Sequence, residues 1–196
     1  MSNNEMKDKR VLVTGSGTGI GREIGLEFAR EGASVVFHYA HSEDGAASAV
    51  KEARQIGGRA EVFKADFNDV ASVKNLAEQS IEFLGGLDIL VNNAGITMNL
   101  PFEQVTPEQF DTLYNVNIRS MFFLTQATLP SLLESDGVVI NLTSVHAFSG
   151  SPEHSVYAGT KGAIVSFTRE LSIELAPRGI RAVSNSHLTL PTNREV

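Results

Sequence analysis

Short apolar runs alternate along the chain with stretches whose apolar positions recur every three or four residues, so strand and helix periods take turns. Residues 10–14 form the first apolar run, ending in glycines, and Ile20, Ile24 and Phe28 follow at helical spacing up to Gly32. Residues 34–38 predict a second strand and the alanine-rich 44–55 a second helix, stopped at Gly57 and Gly58. A third strand is predicted over 60–65, a helix over 70–84 closed by Gly85 and Gly86, and a fourth strand over 87–92. One long helix is predicted over 107–133, with Thr106 as N-cap and Pro107 in the first turn, where a missing N–H costs nothing. A fifth strand over 137–142 and a helix over 155–175 complete the series. Strands that are apolar throughout, with helices between them, imply an α/β fold: a doubly wound parallel sheet covered on both faces through right-handed crossovers. No repeat, low-complexity stretch or linker divides it, and ligands of such sheets sit beyond the C-terminal strand ends.

The formal net charge of −7 argues against a general affinity for nucleic acid or anionic membrane, so an anionic ligand must be met by local devices. The absence of cysteine excludes disulfides, thiolate catalysis and cysteine metal sites, and no metal-ligand cluster stands out. Residues 1–9 are polar, without the apolar core of a secretory signal, and no apolar run approaches the roughly 18 residues of a membrane helix. The expectation is a cytoplasmic protein.

The candidate chemistry falls at the predicted strand ends. Between the first strand and first helix lies Thr14-Gly-Ser-Gly-Thr-Gly-Ile-Gly21. A diphosphate can approach such a backbone closely and be stabilised by the helix N-terminus; the competing reading is a tight turn that binds nothing. Tyr157 and Lys161 lie four apart on one helix, so their side chains can converge. A phenol near its free pKa of about 10 is a poor base at neutral pH, and a nearby ammonium favours its phenolate. Ser144 can hydrogen-bond a carbonyl or alcohol oxygen. Taken singly, the tyrosine and lysine read as a half-buried pair and the serine as a turn residue.

The three-residue spacing between Gly15 and Gly19, Asn92-Asn-Ala-Gly95 after the fourth strand, Ser144 after the fifth, and Tyr157-Ala-Gly-Thr-Lys161 resemble, in that order, the motifs of the short-chain dehydrogenase/reductase family. The resemblance covers about residues 9–181 and is similar to 3-oxoacyl-carrier-protein reductases and glucose dehydrogenases alike. It implies a Rossmann-type sheet and hydride transfer between a nicotinamide dinucleotide and a carbonyl or secondary alcohol. Tyr157 would be the proton donor in reduction, with Lys161 also binding the nicotinamide ribose and Ser144 holding the substrate oxygen. Asn117, chosen over Asn115 by the family register, would relay protons through Lys161. Gly15, Ser16, Thr18, Gly19, Ile20 and Gly21 would cradle the cofactor, Asp66 with Phe67 would meet the adenine, and Asn93, Ala94 and Gly95 would pack near the adenine ribose.

The end of the second strand, Tyr39 onward, carries no acid before Glu43, which favours NADP(H) over NAD(H). Thr18 argues the other way, because many NADP-using relatives carry arginine there; Arg22 lies on the helix. His146 and His154 flank the expected carbonyl site and are candidate substrate contacts. The resemblance implies a small-molecule partner and a homodimer or homotetramer. Two alternatives are a non-catalytic dinucleotide sensor and a sugar dehydratase or epimerase of the extended branch. Beyond Arg181 the resemblance stops: residues 182–196 match nothing expected of the family, lack the apolar run of a central strand, and read as a disordered or foreign tail on a domain spanning 1–181 with its C-terminal strands missing. On that reading the fifth strand is left with an uncovered edge.

Overall fold

The computed structural model describes residues 6–185. Its single sheet is parallel throughout, in the order β3-β2-β1-β4-β5-β6. The strands are β1 (Arg10–Val13), β2 (Ser34–Tyr39), β3 (Ala60–Lys64), β4 (Ile89–Asn92), β5 (Val138–Asn141) and β6 (Arg181–Ser184). Helices α1 (Gly19–Arg30) and α2 (Glu43–Gln55) pack on one face; α3 (Val70–Leu84) and α5 (Ser120–Glu134) pack on the other. Alternate residues of each strand divide between the two layers. Val11, Val13, Val35 and Phe37 meet Leu26, Ala29, Ala49 and Ala53 on the first face. Leu12, Val36, Leu90 and Val139 meet Leu76, Leu84, Leu124 and Leu132 on the second. Each fully buried leucine or valine contributes about 1.5–3 kcal/mol relative to exposure. At the N-terminal end of the strands Arg10 and Asp88 close the sheet, with Nε–Oδ2 at 2.7 Å and Nη2–Oδ1 at 3.2 Å. The C-terminal end is open, and between β1 and β4, where the strand order reverses, it forms a crevice.

Two expectations need correction. The long helix over 107–133 is broken. It consists of α4 (Pro107–Tyr114), a π-helical turn over Asn115–Arg119, and α5. Its start is as expected, a capping box in which Thr106 Oγ1 accepts from the Gln109 amide and Gln109 Oε1 from the Thr106 amide. Hydrophobic spacing does not reveal one extra residue per turn, because apolar positions continue on both sides of it. The second correction concerns the chain beyond Arg181. Arg181–Ser184 is a sixth strand in parallel register with β5, Val139 opposite Ala182 and Asn141 opposite Ser184. Its side chains alternate between burial and exposure, and Ala182 joins Leu175 and Ile180 in the core. A strand that buries one face deeply needs no continuous apolar run. The fifth strand is therefore paired on both sides. Residues 186–196 of the expected tail lie outside the described residues. Among the described residues no helix is long and apolar enough to cross a membrane.

Candidate active site

The glycine loop turns from β1 into α1 at the mouth of the crevice. Thr14 staples the two sides together: its Oγ1 accepts from the amides of Asn93 and Ala94, both at 3.0 Å, and donates to Val91 O at 3.3 Å. Asn93 in turn donates Nδ2 to the carbonyls of Thr14 at 2.9 Å and Gly15 at 3.0 Å. This clamp explains Gly21, where an added Cβ would stand 2.3 Å from Asn93 Nδ2 and 2.5 Å from Gly15 O. Gly19 opens α1 at φ +58° with nothing within 4 Å of the position of a Cβ. Thr18, the N-cap of α1, makes no side-chain cap, and the first turn carries no acid. The helix thus presents its amides and its positive end to the open side of the loop, a favourable setting for a phosphate.

Beside this turn lies a cavity of about 470 Å³. Gly15, Thr18, Ile20, Asp66, Phe67 and Ala94 line it. Ile20 is 71% exposed, an apolar side chain standing at the edge of the cleft. Asp66 accepts from Asn68, backbone and side chain, and that bonding holds its carboxyl below the usual range. Two of the expected cofactor residues, Ser16 and Tyr39, do not line the cavity. The Ser16 hydroxyl bonds Val13 O at 2.7 Å and its amide bonds His38 O at 2.9 Å. Tyr39 stands beside the cavity, whose wall is made by Ala40 and His41; burial and the neighbouring Glu43 carboxylate raise its phenol above the ordinary value. Arg22 faces away, bound to Glu23 at 3.0 Å and Glu52 at 2.8 Å. Sequence reasoning missed His38, which reads as an ordinary strand residue, and Ile96 and Thr112, which reach the cavity only through the fold.

The other half of the site is carried by α6 (Ser155–Leu175). A buried amide network fixes that helix to the sheet. Asn92 Nδ2 donates to Asn141 Oδ1 at 2.8 Å and to Thr125 Oγ1 at 3.2 Å, and Asn141 Nδ2 donates to Thr168 Oγ1 at 2.9 Å. Thr143 Oγ1 adds a bond to Lys161 O at 3.0 Å. The Lys161 side chain is 5% exposed as a residue; its Nζ donates to Leu142 O at 3.0 Å and lies 5.6 Å from the centre of the Tyr157 ring. Burial lowers its pKa to about 8. Asn117 sits in the π turn and clasps the backbone after Gly95: Oδ1 accepts from Ile96 N at 2.8 Å, while Nδ2 donates to Ile96 O at 2.9 Å and Thr160 Oγ1 at 3.0 Å. A Cβ on Gly95 would lie 3.3 Å from Asn117 Oδ1 and 3.5 Å from Lys161 Nζ, so the strip between cavity and lysine is kept clear.

Ser144 follows β5 and accepts from the His146 amide at 3.3 Å. The His146 ring stacks on that of His154 at 4.5 Å and meets the Tyr157 ring edge-on at 5.6 Å. His146 Nδ1 is buried without a partner, and His154 Nδ1 is 2.7 Å from Pro152 O. The sequence-predicted groups thus converge around one end of the cleft: Tyr157 and Lys161 on α6, Ser144 and His146 on the loop opposite, Asn117 behind them.

This geometry can be set beside known proteins. A family model described as short chain dehydrogenase matches residues 9–187, a span that includes all of β6. The chain is 38% identical over 172 residues to the hydroxynaphthalene reductase-like protein Arp2 of Metarhizium brunneum, covering 88% of this chain and 64% of that protein. It is 36% identical over 178 residues to the versicolorin reductase stcU of Emericella nidulans, covering 91% and 67%. It therefore spans about two thirds of the length of these curated relatives. Among solved structures, a short chain dehydrogenase from Burkholderia cenocepacia in complex with NADP superposes with a TM-score of 0.88 at 35% identity, over 91% of this chain and 73% of the other. A blue fluorescent protein from a metagenomic library in complex with NADPH superposes at 0.87 with 36% identity, over the same shares. With the glycine loop, the strand order and the serine, tyrosine and lysine all in place, the chain belongs to the short-chain dehydrogenase family.

Proposed function

We propose that this protein is an oxidoreductase that moves a hydride between NADP(H) and a carbonyl or secondary alcohol, with Tyr157 as general acid and base. The observation that carries the reading is the buried Lys161 ammonium beside the Tyr157 ring, at the end of a cleft suited to a dinucleotide. The residues fit the cofactor: an uncapped α1 N-terminus and the open Gly19 suit its diphosphate, and the exposed Ile20 suits a flat ring. When bound, the nicotinamide supplies or accepts the hydride. Ser144 would hydrogen-bond the substrate oxygen and turn it toward Tyr157. Tyr157 gives that oxygen a proton during reduction and takes it back during oxidation. With its pKa near 8, Lys161 is mostly charged at neutral pH, so a positive charge stands 5.6 Å from the centre of the Tyr157 ring. Its one bond to Leu142 leaves further N–H groups to hold the cofactor ribose. Asn117 keeps the 95–96 backbone in place between them.

The preference for NADP(H) rests on the rim at the end of β2. Ala40 and His41 stand where an acid would repel a 2′-phosphate. The NADP and NADPH complexes of the two structural neighbours support the same choice. Small carbonyl compounds are the substrate class, met by Ser144 with His146 and His154 at the side. The two curated relatives place hydroxynaphthalenes and versicolorin among the compounds worth testing. A homo-oligomeric state is part of the proposal, as the family resemblance implies. The test is a panel of ketones and alcohols followed at the reduced nicotinamide absorbance band with NADPH and NADH. Tight nucleotide binding with no turnover across the panel would instead favour a dinucleotide sensor.

A further inference from the structure

His38 is a deeply buried titratable side chain, 2% exposed, that the proposed chemistry leaves without a task. It sits near the C-terminal end of β2, where three segments bordering the cofactor cavity meet. Its Nδ1 lies 3.0 Å from the Gly15 amide, at the start of the glycine loop. Its Nε2 lies 3.1 Å from the Ala65 carbonyl, at the end of β3. Its ring stacks on Phe67, which lines the cavity, at 4.3 Å and 11°. The main chain repeats the link: the His38 amide donates to Ser16 Oγ at 2.9 Å, and the Ser16 amide donates to His38 O at 2.9 Å.

These partners determine the tautomer. A backbone amide can only donate, so Nδ1 must carry a lone pair; a carbonyl can only accept, so Nε2 must carry the proton. The charged ring would set an N–H against the Gly15 N–H, and the other neutral tautomer would frustrate both bonds. Only the neutral Nε2–H form satisfies both partners. Burial pushes the ring's pKa down to about 4, so it holds that form at neutral pH.

We propose that His38 is a positioning residue for the dinucleotide site: its neutral Nε2–H tautomer ties the Gly15 amide, the end of β3 and the Phe67 ring together, and so presets the adenosine side of the cleft for binding. The inference rests on the reading of that cleft as a nicotinamide dinucleotide site. It assigns His38 no part in the hydride or proton transfer, so its loss should appear in cofactor affinity and not in the rate at saturation.

Three measurements on the full chain test this. Long-range 15N–1H NMR of the wild type at pH 7 should show the His38 ring neutral with the proton on Nε2; a proton on Nδ1, or a charged ring, overturns the proposal even if every variant fails to fold. His38→Phe keeps a flat ring against Phe67 and removes both hydrogen bonds. It should raise the dissociation constants of NADPH and of adenosine 2′,5′-bisphosphate at least tenfold, with kcat at saturating NADPH within twofold of wild type. His38→Asn, whose Oδ1 can stand near the place of Nδ1, should recover a large part of the lost affinity. Equal NADPH affinity in the Phe variant, or an Asn variant no better than Phe, overturns the role of His38 while leaving the cofactor site intact. A wild-type chain that binds no NADPH removes the reading of the site, and the role of His38 with it.

Discussion

The two halves of the open sheet end are built differently. Around β1, β2 and β3 the cleft is shaped mainly by backbone: amides and carbonyls of Thr14, Gly15, Ser16 and Ala65 are joined to one another through single short side chains and one ring. Around β4, β5 and α6 it is shaped by side chains, with Asn92, Asn141, Thr125 and Thr168 holding α6 to the sheet. The second half also keeps polar atoms unpaired. Asn92 Oδ1 and His146 Nδ1 are buried without partners, and the buried Lys161 ammonium donates to Leu142 O. A hydrogen-bonded backbone cradle suits a ligand of constant shape, whereas a group that must change its charge needs an environment less fully committed. Substitutions in the first half should therefore act on cofactor affinity, and substitutions in the second on rate.

Tyr157→Phe should produce the largest effect. Removing only the hydroxyl is expected to lower turnover by about a hundred- to ten-thousand-fold while leaving the NADPH dissociation constant nearly unchanged. Steady-state rates with binding titrations decide it; a variant with half the wild-type rate removes Tyr157 from the mechanism. Lys161→Met tests the limit of the contrast, since one ammonium is proposed to serve both chemistry and cofactor: it should lower turnover and weaken NADPH binding together, and yet stabilise the fold. Because the folded pKa of Lys161 is depressed to about 8 from 10.5, the unfolded chain binds the extra proton between those values. Wild-type stability should then rise with pH across that window, and the full burial penalty, up to about 3 kcal/mol, applies below it. Melting curves should show the Met variant ahead at pH 7, with its advantage fading toward pH 10.5.

In the backbone-built half, Gly21→Ala should force Asn93 off the Gly15 carbonyl. The expected cost is about 1–3 kcal/mol of stability, together with a weakened NADPH affinity measured by calorimetry. An unchanged affinity would mean that the Asn93 clamp is not needed to shape the loop. The smallest effect belongs to Tyr39→Asp, at the cavity margin. An added carboxylate should shift preference toward NADH by charge repulsion with a 2′-phosphate, by about tenfold, a difference of about 1.4 kcal/mol. If the ratio of kcat/KM values for NADPH and NADH stays the same, Tyr39 does not face the ribose.

Much of this molecule could be read from the chain because its strands are buried on both faces, so residues such as Val11–Val13 and Val35–Phe37 stand out as unbroken apolar runs. The residues of the site were legible where chemistry needs them at fixed spacing, as with Tyr157 and Lys161 one helical turn apart. Features that depend on long-range partners were not. His38 and Asn141 look like ordinary strand residues until the glycine loop and α6 are folded against them. Ser16 was expected at the cofactor because it lies in the glycine loop, where its bond to Val13 O cannot be read from the chain, and Arg22 could not be assigned until Glu52 on α2 was beside it. The four residues of β6 carried too little apolar signal to stand out, although burial of Ala182 and pairing with β5 make them a strand.

The π turn over Asn115–Arg119 has a meaning for how this helical segment can vary. One residue added to an α-helix rotates everything after it by about 100°. The turn therefore gives α4 and α5 separate phases, as though a single codon had been inserted between two pieces of one rod. An outward residue downstream such as Phe122 can be exchanged to suit whatever lies against α5 without turning Asn117 away from Ile96. Deleting one residue of the turn would restore an unbroken rod, and with it the coupling between the outer face of the helix and the asparagine at the site.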